Sequence, residues 1–182
     1  MQRLLTADNI DEALEAYVSS VDEVELGTAT TKLKLLHEVK RGKVGSGPYP
    51  NVSFFEAANR IMTDMVLLHG IRWVLRESGL AYRSYRVEYG NEDANDHDII
   101  AETPSQRLHG EAFNVSKSLF QLKKGKMLKK LRANGSQCSE LLIIVNLDAV
   151  EDGYRPKMAG REMMLLVDVF EEREPKLWGG CA

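Results

Sequence analysis

Two acids, Asp98 and Glu111, stand on either side of Thr103-Pro104-Ser105-Gln106. Proline and serine suit turn positions, so a hairpin is expected here, and the register that centres on this turn sets Asp98 directly opposite Glu111. Facing residues of an antiparallel pair hold their Cβ atoms about 4.5–5.5 Å apart. Two carboxylates at that spacing repel unless a cation, a basic neighbour or a raised pKa relieves them. Carboxylate oxygens in this arrangement suit a shared divalent cation, Mg²⁺ before zinc. His97 and His109 flank the same hairpin, but further ligands for a zinc site are lacking. Cys138 and Cys181 are too few for a disulfide framework and imply free thiols in a reducing compartment, with Cys138 read as packing. No glycine loop with strand-to-helix context is present, since the glycines of 42–47 follow a basic helix and precede Pro48.

The elements that must position these acids follow from periodicity. Asn9, as an N-cap, opens an amphipathic helix carrying Ile10, Leu14, Tyr17, Val21 and Val24. A second helix is expected over residues 29–40, and the Gly/Pro-rich run 42–52 reads as a loop that ends this N-terminal helical pair, residues 1–41. From Ser53 a long stripe of Phe54, Ala58, Ile61, Met65, Leu68 and Leu75 predicts a largely buried helix. Tyr85, Val87 and Tyr89 alternate with Arg86 and Glu88 as a strand does; short strands are expected at 98–102 and 111–115, and a helix over 117–132. Leu141 to Val145 is a continuous apolar run, expected as a strand buried on both faces, and 163–170 predicts another. One domain over residues 1–182 is expected, with an α/β core over 53–170; the last residues, 171–182, carry no assignment.

The charge sums nearly to zero, 24 Lys+Arg against 27 Asp+Glu, which argues against a chain that holds a polyanion by its overall charge. The sum conceals segregation. Residues 1–26 net −6, residues 117–132 carry seven bases and no acid, and Glu92, Asp93, Asp96 and Asp98 cluster before an apolar run. Such polarity can steer a polyanion to one face; solvated helix faces are the other reading. The N-terminus shows no secretory pattern, and the most apolar stretch, 52–75, is interrupted by Glu56, Arg60, Asp64, His69 and Arg72, so a cytoplasmic protein without a membrane span is expected.

The order α-β-β-β-α-β over residues 53–146, with Asp98 in His97-Asp98-Ile99-Ile100 and Glu111 in Gly110-Glu111-Ala112-Phe113, resembles the PD-(D/E)xK nuclease superfamily. The resemblance implies a restriction-endonuclease-like fold: a central mixed sheet flanked by helices. It implies a Mg²⁺-dependent DNA endonuclease, with the type II restriction endonucleases as one candidate class, that hydrolyses phosphodiester bonds, with Asp98 and Glu111 as metal ligands. Glu56 is then the helical acid, although Ser53-x-x-Glu56 is also a capping box. The sequence departs from the motif at its lysine position, which is Phe113. Lys117, with Lys123 and Lys124 behind it, is the candidate for a relocated cation, and Asn114 or Glu102 for a further ligand. Lys117, Lys123, Lys124, Lys126, Lys129 and Lys130 on the basic helix would contact phosphates, and the loops 148–160 (Tyr154, Arg155, Lys157) and 42–51 would read bases. Family behaviour implies a homodimer on double-stranded DNA. Phe113 also admits a non-catalytic nucleic-acid-binding or assembly module on the same fold, and the acidic first helix a protein-interaction domain.

Overall fold

The expected hairpin is present in the register that the turn sets. In the computed structural model, which describes residues 3–25, 30–90, 96–134 and 139–179, strand β3 (Ile99–Glu102) pairs antiparallel with β4 (Arg107–Phe113), Ile99 against Gly110 and Glu102 against Arg107. The next step of that register sets Asp98 against Glu111. Thr103 closes the turn by donating from its amide to the Gln106 carbonyl at 2.9 Å. The third strand starts at Arg107 rather than at Glu111, because the pairing continues to the turn itself.

Around the hairpin the elements run β1 (Leu4–Thr6), α1 (Ile10–Asp22), α2 (Lys32–Arg41), α3 (Phe54–Glu77), β2 (Ser84–Val87), β3, β4, α4 (Lys117–Asn134), β5 (Ser139–Asn146), a 3₁₀ turn (Leu147–Ala149), β6 (Glu162–Val167) and β7 (Lys176–Gly179). The sheet is mixed and its strands lie in chain order from β1 to β7. β1 to β4 are mutually antiparallel, β4, β5 and β6 parallel, and β7 antiparallel on the far edge. The β4–α4–β5 crossover explains the apolar run of β5: a strand with parallel neighbours and a helix over each face has no solvent side, and Leu142 to Val145 are fully buried.

Two cores result. On one face α3 crosses β4, β5 and β6, and α1 packs on α3, joining Ile10, Tyr17, Leu67, Leu68 and Ile71 to Ile99, Leu108 and Ile144. The approach is close enough that Gly70 is required: a Cβ there would lie 2.5 Å from Ile144 Cγ2. On the other face α4 lays Phe120, Met127, Leu128 and Leu131 over Phe113, Ile143 and Val145. No helix among the described residues is long and apolar enough to cross a membrane.

Several expectations change. Asn9 precedes α1, but its side chain makes no capping bond; it accepts from the Thr6 amide at 2.8 Å and donates to the Leu4 carbonyl, closing the turn out of β1 instead. α2 is capped by Thr31 and buries none of its residues, leaving Leu33 and Leu36 exposed, so the second helix is not packed as a partner of the first. The loop 42–52 is not a slack connection. It folds back on itself through Val44–Val52 and Asn51–Val44 backbone bonds and buries Val44 and Tyr49. Part of the unassigned tail, residues 176–179, is β7. Cys138, Cys181, Glu92 and Asp93 lie outside the described residues.

Candidate functional site

Asp98 sits immediately before β3, and its Oδ2 accepts from the Ala112 amide on β4 at 2.9 Å. This bond pins the carboxyl to the hairpin and leaves Oδ1 without a hydrogen bond among the described residues. Burial, reinforced by the neighbouring Glu111 carboxylate, pushes the Asp98 carboxyl up to about 6.

Glu111 points from β4 toward α4 and is 2% exposed. A buried carboxylate demands partners, and Glu111 has two. Lys130 of α4 sets its ammonium 2.8 Å from Oε1 and 2.9 Å from Oε2, and His97 Nδ1 donates to Oε1 at 2.9 Å. His97 is itself buried, with its ring stacked on His109 at 4.8 Å between centroids. Burial, with His97 and Arg107 alongside, holds the His109 imidazole below its ordinary value.

Helix geometry explains how Lys130 arrives here. The buried stripe of α4 runs through Phe120, Met127, Leu128 and Leu131, and Lys130 sits on its margin, so an apolar stem lies along the sheet while the ammonium reaches inward. Phe113, at the position that the motif gives to lysine, is buried in the core beneath α4.

The relocated-cation expectation is therefore corrected. Lys117 pairs with Glu151 at 2.9 Å on the surface, away from Asp98 and Glu111. Lys124 donates to the Tyr154 hydroxyl at 3.1 Å, and Glu102 pairs with Arg107 at the turn. Glu56 is also placed elsewhere. Its amide donates to Ser53 Oγ at 3.2 Å and its carboxylate pairs with Arg60 at 2.6 Å, so the helix cap and an i,i+4 pair account for it. It lines a cleft of about 400 Å³, with Asn59, Arg60, Asn114 and Lys123, between the start of α3 and α4. Of the remaining basic residues expected at nucleic acid, Lys126 and Lys129 of the helix and Arg155 and Lys157 of the 148–160 loop are exposed and unpaired among the described residues. Tyr154 packs edge-on against Phe120, which ties the 148–160 loop to α4.

Beneath the cleft at Glu56 lies a node that the sequence marked only as a break in an apolar stretch. Asp64 Oδ2 accepts from Tyr17 OH at 2.6 Å, Tyr49 OH at 2.7 Å and the Gly90 amide at 2.8 Å, joining α1, the 42–52 loop, α3 and the chain that leaves β2. Burial raises the Asp64 carboxyl and both phenols.

Among the described residues no group of three or more His, Cys, Asp or Glu side chains could hold a metal. Mg²⁺ keeps several waters and is commonly held by one or two carboxylates, and Asp98 offers a hard oxygen, Oδ1, without a hydrogen bond among the described residues, beside a Glu111 carboxylate that Lys130 and His97 already engage. An ion there would meet Asp98 Oδ1 directly and would share Glu111 with Lys130, whose ammonium spans both of its oxygens. Compared with protein-family models, curated proteins and solved structures, the chain matches none.

Proposed function

We propose that the protein is a Mg²⁺-dependent DNA endonuclease of restriction-endonuclease-like fold, with Asp98 and Glu111 as the metal-holding pair and Lys130 as the cation that takes the place of the motif lysine. The observation that carries this reading is the convergence of Asp98, Glu111 and the Lys130 ammonium, from β3, β4 and α4, on one spot at the end of the hairpin. The α-β-β-β-α-β element order around it supports the same reading.

When bound, the metal would polarise a phosphodiester and lower the pKa of an attacking water. The chain's own residues supply the remainder. Asp98 is held in place by the Ala112 amide. Glu111 is oriented by His97 and Lys130, and the outward-facing lysines Lys126 and Lys129 add phosphate affinity that salt weakens and that carries no sequence preference. Lys130, fixed on Glu111 beside Asp98, offers a positive charge where negative charge develops on a phosphate.

Supercoiled plasmid is expected to be nicked in Mg²⁺ or Mn²⁺ and protected by a chelator, with nicking lost in Asp98→Asn, Glu111→Gln and Lys130→Met and retained in Lys117→Met. Two observations favour a second reading: both oxygens of Glu111 are engaged within the protein, and Phe113 fills the motif lysine position. DNA binding by the wild type with no cleavage in either metal decides for a non-catalytic nucleic-acid-binding module.

A further inference from the structure

We infer that the cleft between the start of α3 and the flank of α4 is a subsite for an unpaired nucleotide, with its phosphate at Lys123 and its base against Phe55; this rests on the nuclease reading and names its substrate as DNA with single-stranded character. The cleft has a volume of about 400 Å³ and lies among Phe55, Asn59, Arg60, Asn114 and Lys123, within the range of small-ligand sites. Its charge is not cancelled from within. Arg60 and Glu56 neutralise each other at 2.6 Å, and the acid at its floor, Asp64, is sealed by three donors. Lys123 is half-buried and has no partner among the described residues, which leaves a cation whose surroundings lack the anion it would pair with.

Phe55 is the second feature without an internal purpose. It is 50% exposed at the start of a helix whose other large apolar residues face the core, and the Lys40 ammonium stands 4.6 Å from its ring centroid. An exposed aromatic ring beside a basic side chain is the arrangement on which bases of single strands stack, independently of sequence. A duplex conceals its base faces and cannot use it.

The geometry also relates the cleft to the proposed catalytic pair. Lys123 and Lys130 are seven residues apart on α4 and so share one flank of the helix, about 10 Å apart along its axis. Lys130 serves Glu111 and Lys123 serves the cleft, with the exposed Lys126 between them. A strand with its scissile phosphate at Asp98 and Glu111 would run along this flank and place a neighbouring nucleotide in the cleft.

The test measures binding by the full chain of a fluorescent oligothymidylate and of a duplex of equal length, in Ca²⁺ to hold cleavage off. The single strand is expected to bind more tightly. Phe55→Ala should weaken it by at least about fivefold and leave the duplex unchanged, and Phe55→Trp should restore it. Lys123→Gln should reduce the salt dependence of single-strand binding by about 0.7 in log–log slope. Unchanged single-strand affinity in Phe55→Ala, or an equal loss on both substrates, overturns the subsite. The two readings separate cleanly: Phe55-dependent single-strand binding without cleavage in Mg²⁺ keeps the subsite and removes the nuclease, whereas plasmid nicking with a Phe55→Ala variant indifferent to strand state does the reverse.

Discussion

Replacing Asp98 by Asn should make the protein more stable at alkaline pH and change nothing in acid. Asparagine keeps the shape of the side chain and an oxygen for the Ala112 amide. It removes only the ionisation. The Asp98 carboxyl is raised from 3.8 to about 6, first by burial and then by Glu111, so the folded state holds its proton more tightly than the unfolded chain. A raised acid favours the folded state fully below 3.8, and that contribution is lost as pH rises through about 6. Each tenfold change in proton affinity is worth 1.36 kcal/mol, so the ionised Asp98 destabilises the wild type by about 2–3 kcal/mol at pH 8, and Asp98→Asn escapes this cost. For a chain of this length that is about 4–12 °C in melting temperature. Urea titrations followed by the fluorescence of Trp73 and Trp178, repeated from pH 4 to 8.5, should show the two proteins converging below about pH 4 and separating above about 6. Added Mg²⁺ at pH 8 should stabilise the wild type alone. A variant less stable than wild type at pH 8, or a gap that does not vary with pH, would refute the electrostatic account of this hairpin.

Lys130→Met leaves Glu111 buried with His97 as its remaining partner and should cost about 1–3 kcal/mol in urea denaturation, less than a fully buried pair because Lys130 is 39% exposed; Lys117→Met, at a surface pair, should leave the midpoint unmoved. Gly70→Ala forces a methyl group into Ile144 and should destabilise by about 1–3 kcal/mol, with Ile144→Val in the same chain recovering part of the loss; strict additivity of the two would show that the helix and sheet are not in this contact. Tyr49→Phe should cost about 0.5–1.5 kcal/mol, the ordinary net worth of one hydrogen bond, because Asp64 keeps its Tyr17 and Gly90 donors. Tyr17→Phe on top of it should cost a different amount than it does alone, because both hydroxyls share one oxygen of Asp64, and a double-mutant cycle reads the coupling directly.

What could be read from the chain divides along physical lines. The hairpin and its register were legible because a Pro-Ser turn fixes a pairing locally, and Asp98 against Glu111 follows from that alone. The central strand β5 was legible because burial on both faces leaves an unbroken apolar run. β1 was not: three residues are too few for a period, and its partner, β2, is some eighty residues distant in the chain. β7 likewise carries two apolar residues in four. The identity of the cation at Glu111 was hidden among seven bases that composition cannot rank; only the position of Lys130 on the margin of the buried stripe distinguishes it from Lys117, and that requires knowing which way α4 faces. Asp64 was visible as an acid within an apolar stretch, but its three donors come from α1, a loop and the end of β2, which no local pattern connects.

The sheet's chain-ordered arrangement bears on how the molecule assembles. From β2 onward each strand is added beside the one just made, so residues 84–179 can grow outward from the hairpin with short searches at every step. β1 alone breaks this economy: to reach β2 it must close a loop that contains α1, α2 and the whole of α3. The N-terminal segment is therefore expected to join a sheet already formed and to open first when stability is lowered. Hydrogen exchange should find the amides of β1 and α1 released together, well before those of β4, β5 and β6, and the Asp64 node, which holds Tyr17 of α1, is the clasp that sets how often this happens.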